Sequence, residues 1–340
     1  VRIAVLGAGA VGGTLAALLA HHGHQVEVTA RGEQLEALRM QGLRLEGGWG
    51  TFAVRVEAGA TLTTRPELVL LTTKAQDAAD ALRAEAAVIE GVPLVVVQNG
   101  LGGLRVAHEV LPGSPLIGGL ALFAASYLSP GTVEVTGPNP IIVGAGPACD
   151  QATLASVAAV LREVLPVEVT PDIAGAQWTK LLINHVNALP AITGLSVQQV
   201  VGDRGLLRVM TASMRETVRV ARALGVRFGT VQGVSGAVLG LIGVAPLALG
   251  AAFPRLLARR MGDVPNPGST LQSIRRGRLT EIDFLNGAVV AAAAERGMTT
   301  PVNSALVDLV HEVERTGRFV APDEVVERVP VSRRPVSRRR

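Results

Sequence analysis

The chain has 340 residues, 48% of them hydrophobic and only 18% charged. It is long enough for two domains and apolar enough to bury a core in each, which excludes a disordered or fibrous polymer. Its net charge of +4 is concentrated in one place: Arg333, Arg334, Arg338, Arg339 and Arg340 crowd the last eight residues, and the rest of the chain carries about −1. Nucleic acid is therefore not an expected partner. Cys149 is the single cysteine, so no internal disulfide can form, and no Cys/His cluster has metal-ligand spacing. A cytoplasmic, metal-free protein is expected.

Residues 2–6 (RIAVL) read as a short apolar strand, followed by a glycine-rich turn and an Ala/Leu-rich helix to about His22. The apolar start is broken by glycine within six residues and is not read as a signal peptide. Residues 25–30 form a second strand and 33–40 a helix. LRLEGG and GTFAVRVE alternate in polarity around Gly47-Gly48, a β-hairpin signature. Continuous apolar runs at 67–73 and 93–100 are buried strands with a helical segment between them. Strand-like pieces at 116–122, 131–136, 140–144 and 166–170 are expected to complete the same sheet. Strands alternating with helices predict an α/β fold with a Rossmann-like, doubly wound parallel sheet.

From about Ile173 the pattern becomes helical with no convincing strand, so a boundary is placed near Pro171. The expected division is 1–170 for a nucleotide domain, 171–320 for an all-α domain and 321–340 for a disordered basic tail. No charge occurs between Arg227 and Arg255, a run long enough to span a bilayer. Its many glycines and Pro246 favour close-packed helices with a break near the proline, and no membrane association is expected. The stretch 229–253 reads either as intrachain core or as a homodimer contact.

Gly7, Ala8, Gly9, Ala10, Val11 and Gly12 form G-x-G-x-x-G between a strand and a helix. Such a loop gives a tight turn, lets a pyrophosphate approach the backbone, and presents helix N–H groups to it. The second strand ends in Val28-Thr29-Ala30-Arg31, with an arginine where an NAD enzyme places a carboxylate. Arginine pairs with a ribose 2′-phosphate, so NADPH/NADP+ is the expected cofactor.

The chain holds only two lysines, Lys74 and Lys180, against thirty arginines. Arginine does not readily give up a proton and lysine can, so the two lysines are candidate site residues. Lys74 and Asn99 each follow an apolar strand at its carboxyl end, where ligands bind in open sheets. Lys180, Asn184 and Asn187 are spaced i, i+4, i+7 on one predicted helix, a polar stripe suited to an anionic substrate. Asn266 and Ser269 form a third cluster, although Ser269 with Gln272 also has the spacing of an N-terminal capping box. Glu281 falls in a predicted helix, where the alternative is a surface pair with Arg276 or Arg278.

Taken together, these residues resemble the ketopantoate reductase family over residues 1–318. The resemblance is carried by GAGAVGG at 7–13, Arg31, Lys74, Gln98-Asn99-Gly100, Trp178 with Lys180 and Asn184, Asn266 with Ser269, and Arg278-x-x-Glu281-x-Asp283-x-x-Asn286-Gly287. It implies a Rossmann domain followed by a helical one, NADPH as hydride donor and ketopantoate, a small 2-oxo acid, as substrate, giving (R)-pantoate for pantothenate and coenzyme A synthesis. It further implies Lys180 and Glu281 as catalytic residues, with Asn184, Asn266 and Ser269 on the substrate, where the helical stripe also places Asn187. The chain departs from the family at Ala188, where a second asparagine is usual, and at Ser273, where aspartate is. Two alternatives stand beside this reading: a reductase of another 2-oxo or opine-type acid, and a non-catalytic NADP(H)-binding sensor.

Overall fold

The computed structural model describes residues 1–331, and the chain divides into two units, Val1–Ile173 and Ala174–Arg340. In the first unit β1 (Arg2–Leu6) leads through the glycine loop into α1 (Ala10–His21), β2 (Gln25–Thr29) and α2 (Gly32–Gln41). Three short strands follow, β3 (Leu43–Gly47), β4 (Phe52–Val54) and β5 (Glu57–Gly59), and then β6 (Leu68–Leu71), α3 (Ala78–Ile89), β7 (Leu94–Val97) and α4 (Gly103–Val110). The unit closes with β8 (Leu116–Ala121), β9 (Ala124–Ser129), β10 (Thr132–Gly137), β11 (Ile141–Ala145), α5 (Gln151–Arg162) and β12 (Val167–Val169).

Eight of these strands form one sheet in the order β12-β11-β8-β7-β6-β1-β2-β5, parallel except for the β8–β11 pair. The strands are continuous apolar runs because both faces are covered. Along β1, Ile3 and Val5 enter the core under α1 and α5, whereas Ala4 and Leu6 enter the opposite core under α3 and α4. The order reverses at β1, with β2 on one side and β6 on the other, so the loops after these strands flank a topological switch point.

Residues 131–136 do not join this sheet as expected. β10 pairs in parallel with β3 and antiparallel with β9, giving a separate sheet in the order β4-β3-β10-β9. The predicted hairpin is present as β3–β4, but its second arm divides: β4 stays in the small sheet and β5 pairs with β2 in the large one. Val133 and Val135, buried against the α1 side of the unit, hold the small sheet in place.

The second unit is helical, and its described residues contain only an isolated bridge between Val231 and Val234. It runs through α6 (Ile173–Asn184, whose first residue belongs to the first unit), α7 (Ala188–Thr193), α8 (Val197–Gly202) and the 20-residue α9 (Arg204–Ala223). Then come α10 (Gly236–Val244), α11 (Leu247–Gly250), α12 (Ala252–Arg260), α13 (Gly268–Arg275), α14 (Asn286–Ala294), α15 (Pro301–Thr316) and α16 (Pro322–Arg328). One face of α9 is buried from Leu206 to Ala221, and most of the other helices pack around it.

The charge-free stretch folds as α10, α11 and α12, with the break at Ala245-Pro246. Leu239 and Ile242 point into the core, while Leu241, Val244 and Leu249 are each more than 60% exposed. No helix among the described residues is long and apolar enough to cross a membrane. The expected disordered tail is corrected at its start. Residues Pro322–Arg328 are helical because Val325 and Val329 are buried and Arg328 pairs with Glu312 and Glu324. The arginine-rich part of that tail, 332–340, lies outside the described residues.

Candidate active site

In the first unit the glycine loop is set by close approach. Gly7 adopts φ +101°, where a Cβ would press on Thr73, and a Cβ on Gly12 would overlap the Gly7 carbonyl oxygen and Thr72 Oγ1. Around Gly9, by contrast, a Cβ would meet nothing within 4 Å. Three side chains not singled out by the sequence brace this loop. Thr29 Oγ1 accepts from the Gly7 N–H at 3.3 Å, and Thr72 Oγ1 stands 3.0 and 2.7 Å from the Leu6 and Gly7 carbonyl oxygens. Gln34 donates through Nε2 to the Ala8 carbonyl at 2.9 Å and accepts from Tyr127 Oη and the Gly131 N–H through Oε1. The only sequence signal for Gln34 was its place one turn after Arg31.

These observations fit a dinucleotide. The space above Gly9 admits a phosphate, the first turn of α1 holds no acidic residue, and its N–H groups lack intrahelical acceptors. Ala8, Ala10 and Val11 complete the loop. Arg31 is exposed just beyond β2, immediately before α2, with Glu33 exposed beside it in the next turn. Lys74 and Asn99 are partly accessible in the segments after β6 and β7, whose ends are joined where Gln98 Nε2 donates to the Thr73 carbonyl at 2.8 Å. Since β1, β2, β6 and β7 are parallel, the glycine loop, Arg31, Lys74 and Asn99 share the carboxyl edge of one sheet.

In the second unit α6 carries Lys180 and Asn184, both partly accessible. The stripe expected to continue to Asn187 is divided. The α-helix stops at Asn184, a 3₁₀ turn spans His185–Asn187, and Asn187 is buried with its Oδ1 against Gly268. Thr179 ties α6 down through its hydroxyl, 2.7 Å from the Gly229 carbonyl oxygen.

Asn266 shapes the loop before α13. Its Oδ1 accepts from the Gly268 N–H at 2.8 Å, and its backbone bonds Gln198 Oε1 and Val197 on α8. What it can offer a ligand is its Nδ2 donor. Ser269 is exposed as the second residue of α13, with Pro267 at the cap, so the box anticipated with Gln272 is not formed. The box that does form is Ser196 with Gln199 at the start of α8.

Glu281 is not inside a helix. After α13 the chain turns at Gly277, and Glu281 stands immediately before the 3₁₀ turn Ile282–Phe284. Its neighbours are anchored to α15: the Thr280 N–H donates to Glu314 Oε1 at 2.7 Å, and Asp283 Oδ1 is 2.9 Å from His311 Nε2. Burial lowers the pKa of Lys180 to about 8, and the charge of Glu281 acts in the opposite sense. An ammonium poised near neutrality beside a carboxylate can both stabilise a developing oxyanion and release a proton to it.

The fold, a nucleotide-type parallel sheet followed by a helical unit, and the chain's relatives make it an oxidoreductase. The chain belongs to the ketopantoate reductase PanE/ApbA family, whose amino-terminal model matches residues 3–148 and whose C-terminal model matches 172–314. The 2-dehydropantoate 2-reductase of Pyrococcus horikoshii is 30% identical over 93% of this chain and 98% of its own length. That of Halobacterium salinarum is 32% identical over 93% of this chain and 100% of its own. The crystal structure of a PanE/ApbA family ketopantoate reductase from Ralstonia eutropha JMP134 is 29% identical. It superposes with a TM-score of 0.80 over 93% of this chain and 99% of that one. D-mandelate dehydrogenase, solved with NADH and anilino(oxo)acetate, shares the fold at 20% identity and a TM-score of 0.78, over 93% of this chain and 99% of that one.

Proposed function

We propose that the chain is a cytoplasmic NADPH-dependent 2-dehydropantoate 2-reductase, converting ketopantoate to (R)-pantoate for pantothenate and coenzyme A synthesis. The observation that carries the chemistry is the Lys180 ammonium, lowered to about 8 by burial and upheld by Glu281. The choice of substrate follows the curated relatives of Pyrococcus and Halobacterium.

In this reading residues 1–170 hold the dinucleotide, whose nicotinamide supplies the hydride that adds to the keto carbon. Gly7, Gly9 and Gly12 with the first turn of α1 receive the pyrophosphate, and Arg31 receives the 2′-phosphate. Lys74 and Asn99 line the same sheet edge. The helical unit receives the 2-oxo acid. Lys180 Nζ binds the carbonyl oxygen, stabilises it as negative charge builds, and donates the proton that completes the alcohol. Glu281 keeps the lysine protonated and accepts from the substrate hydroxyl. Asn184, Ser269 and Asn266 Nδ2 offer donors to the hydroxyl and carboxylate, with Asn187 behind them against Gly268.

A second reading, reduction of another 2-oxo or opine-type acid, is favoured by one feature: the buried Asn187, with Ala188 where the family usually has asparagine. Oxidation of NADPH followed with ketopantoate and a panel of straight-chain, aromatic and branched 2-oxo acids tests both. The highest kcat/KM for ketopantoate supports the first, a clear preference for another acid the second, and cofactor binding without turnover the sensor.

A further inference from the structure

His185, Ser213, Thr217, Asn286 and Asn303, each at most 1% exposed, gather around α9 in the helical unit. They come from the turn after α6, from α9, from α14 and from α15. His185 Nδ1 is 2.9 Å from the Leu181 carbonyl oxygen, which can only accept, so that nitrogen carries the proton. Burial pulls the ring down to a pKa of about 4, leaving it neutral with Nε2 an acceptor. The Thr217 hydroxyl, 2.6 Å away, is its donor.

One turn earlier on the same helix, Ser213 Oγ donates to Asn303 Oδ1 at 2.8 Å. Asn286 Nδ2 donates to Ser213 Oγ at 3.3 Å and to Asn303 Oδ1 at 2.9 Å. Asn303 Nδ2 completes the set on the Ser213 carbonyl and Glu216 Oε2, at 3.2 and 2.8 Å.

The placement of these anchors in the chain is informative. His185 stands five residues after Lys180, and Asn286 five residues after Glu281. The segments carrying the two residues are thus fastened to a single rail, at Thr217 and Ser213, one helical turn apart. Burying a histidine and two asparagines is costly compared with aliphatic packing of the same volume, and the bonds they make render the arrangement geometrically specific, with Asn286 Oδ1 left without a partner.

We propose that the Thr217–Ser213 edge of α9 is a positioning element that fixes, through His185 and Asn286, the separation of Lys180 from Glu281. The proposal rests on the reading of Lys180 as the proton donor. A displacement of either segment changes how far the Glu281 charge reaches the ammonium, so it moves both the rate and the pH at which the lysine loses its proton. On the α9 side Glu216 accepts from Asn303 Nδ2 and feels the charge of Arg219, while Glu281 is the charge that acts on Lys180.

The test uses the full-length enzyme with Thr217→Val, Thr217→Ser and Ser213→Ala, each also combined with Lys180→Ala. Valine keeps the shape of threonine and leaves His185 Nε2 without its donor. The expected result is a fall in kcat of about 10- to 100-fold, the scale of a slightly misplaced catalytic group. The NADPH Kd is unchanged, the alkaline limb of the kcat profile is displaced, and Thr217→Ser restores both. In the Lys180→Ala background the same substitution adds no further loss, because the two act through one group.

A lower Tm with native kcat and a native pH limb overturns the proposal, as do losses that multiply in the double variant. Should Thr217→Val fail to fold, Ser213→Ala severs the other anchor and is judged on the same readouts. If Lys180→Ala itself keeps the native rate, the reading of the lysine fails, and the proposal with it. A slow Lys180→Ala beside a native Thr217→Val fails the positioning proposal alone.

Discussion

Glu281 upholds the proton affinity of Lys180 against burial, although 101 positions in sequence separate the carboxylate from the ammonium. Burial is the larger influence, and the outcome is a pKa of about 8. A general acid must be protonated to act, so kcat for reduction is expected to fall as pH rises through about 8. Glu281→Gln removes the influence that raises the pKa, and the limb should move to lower pH. An unchanged limb in that variant would detach the two residues.

Lys180→Ala is expected to lower kcat by about 10²- to 10⁴-fold, the usual contribution of a positioned acid. NADPH affinity should stay close to native, since the glycine loop and Arg31 belong to the other unit. Lys180→Arg should rescue poorly, because guanidinium keeps the charge but is reluctant to donate a proton. Single-turnover hydride transfer together with cofactor titration separates these effects.

Arg31 stands exposed beyond β2, where a 2′-phosphate would be read. Arg31→Ala should cost NADPH about 1.5–3 kcal/mol, the value of a charge-assisted hydrogen bond, and cost NADH little. Comparison of the two Kd values in both proteins checks this. Equal affinities of the native chain for NADPH and NADH would remove the assignment.

His311 is held between Glu314 and Asp283, 2.9 Å from each. Burial disfavours its charge, but the two carboxylates outweigh that and raise its pKa above the ordinary 6.5. The folded pKa lies above the unfolded one, so the protonated clamp contributes its full stability below about 6.5 and loses it as pH rises through the higher folded value. The Tm difference between the native chain and His311→Gln should therefore be largest near pH 5.5 and shrink on the alkaline side. A difference that grows with pH would contradict the sign.

At Gly12 the neighbouring backbone leaves no volume for a side chain. Gly12→Ala must push α1 away from the loop after β1, at a cost of about 1–3 kcal/mol typical of overpacking. Urea denaturation of the two proteins, read at the midpoint, measures it.

What was legible in the sequence was local or periodic. β1, the glycine loop and α1 are contiguous, and β6 and β7 announce themselves as uninterrupted apolar runs. Lys180 stood out by the scarcity of its residue type. The second sheet was hidden because β3 and β10 lie almost ninety residues apart and β9 is largely exposed, with little alternation to mark it. Glu281 falls outside the helix its surroundings predict because the turn at Gly277 ends the helical register three residues after Ile274. Half of Asn266 is committed locally, its oxygen accepting from Gly268, which leaves only Nδ2 for a ligand, a division that composition does not reveal. The rail on α9 unites residues 185, 213, 217, 286 and 303, and nothing in their spacing connects them before the chain is folded.

Near-absence of lysine gives the chain an unusual covalent chemistry. An acylating or aldehyde reagent meets only two side-chain amines in 340 residues. With a pKa of about 8, roughly one Lys180 amine in ten is neutral at pH 7, against fewer than about one in a thousand for an ordinary lysine. Amine-directed electrophiles thus have few targets here besides the chain's α-amino group, and the Lys180 adduct can be told from the others by peptide mass. The mass of one adduct, and the rate at which a 2-oxo acid slows its appearance, would then report on occupancy around that nitrogen without any turnover being measured.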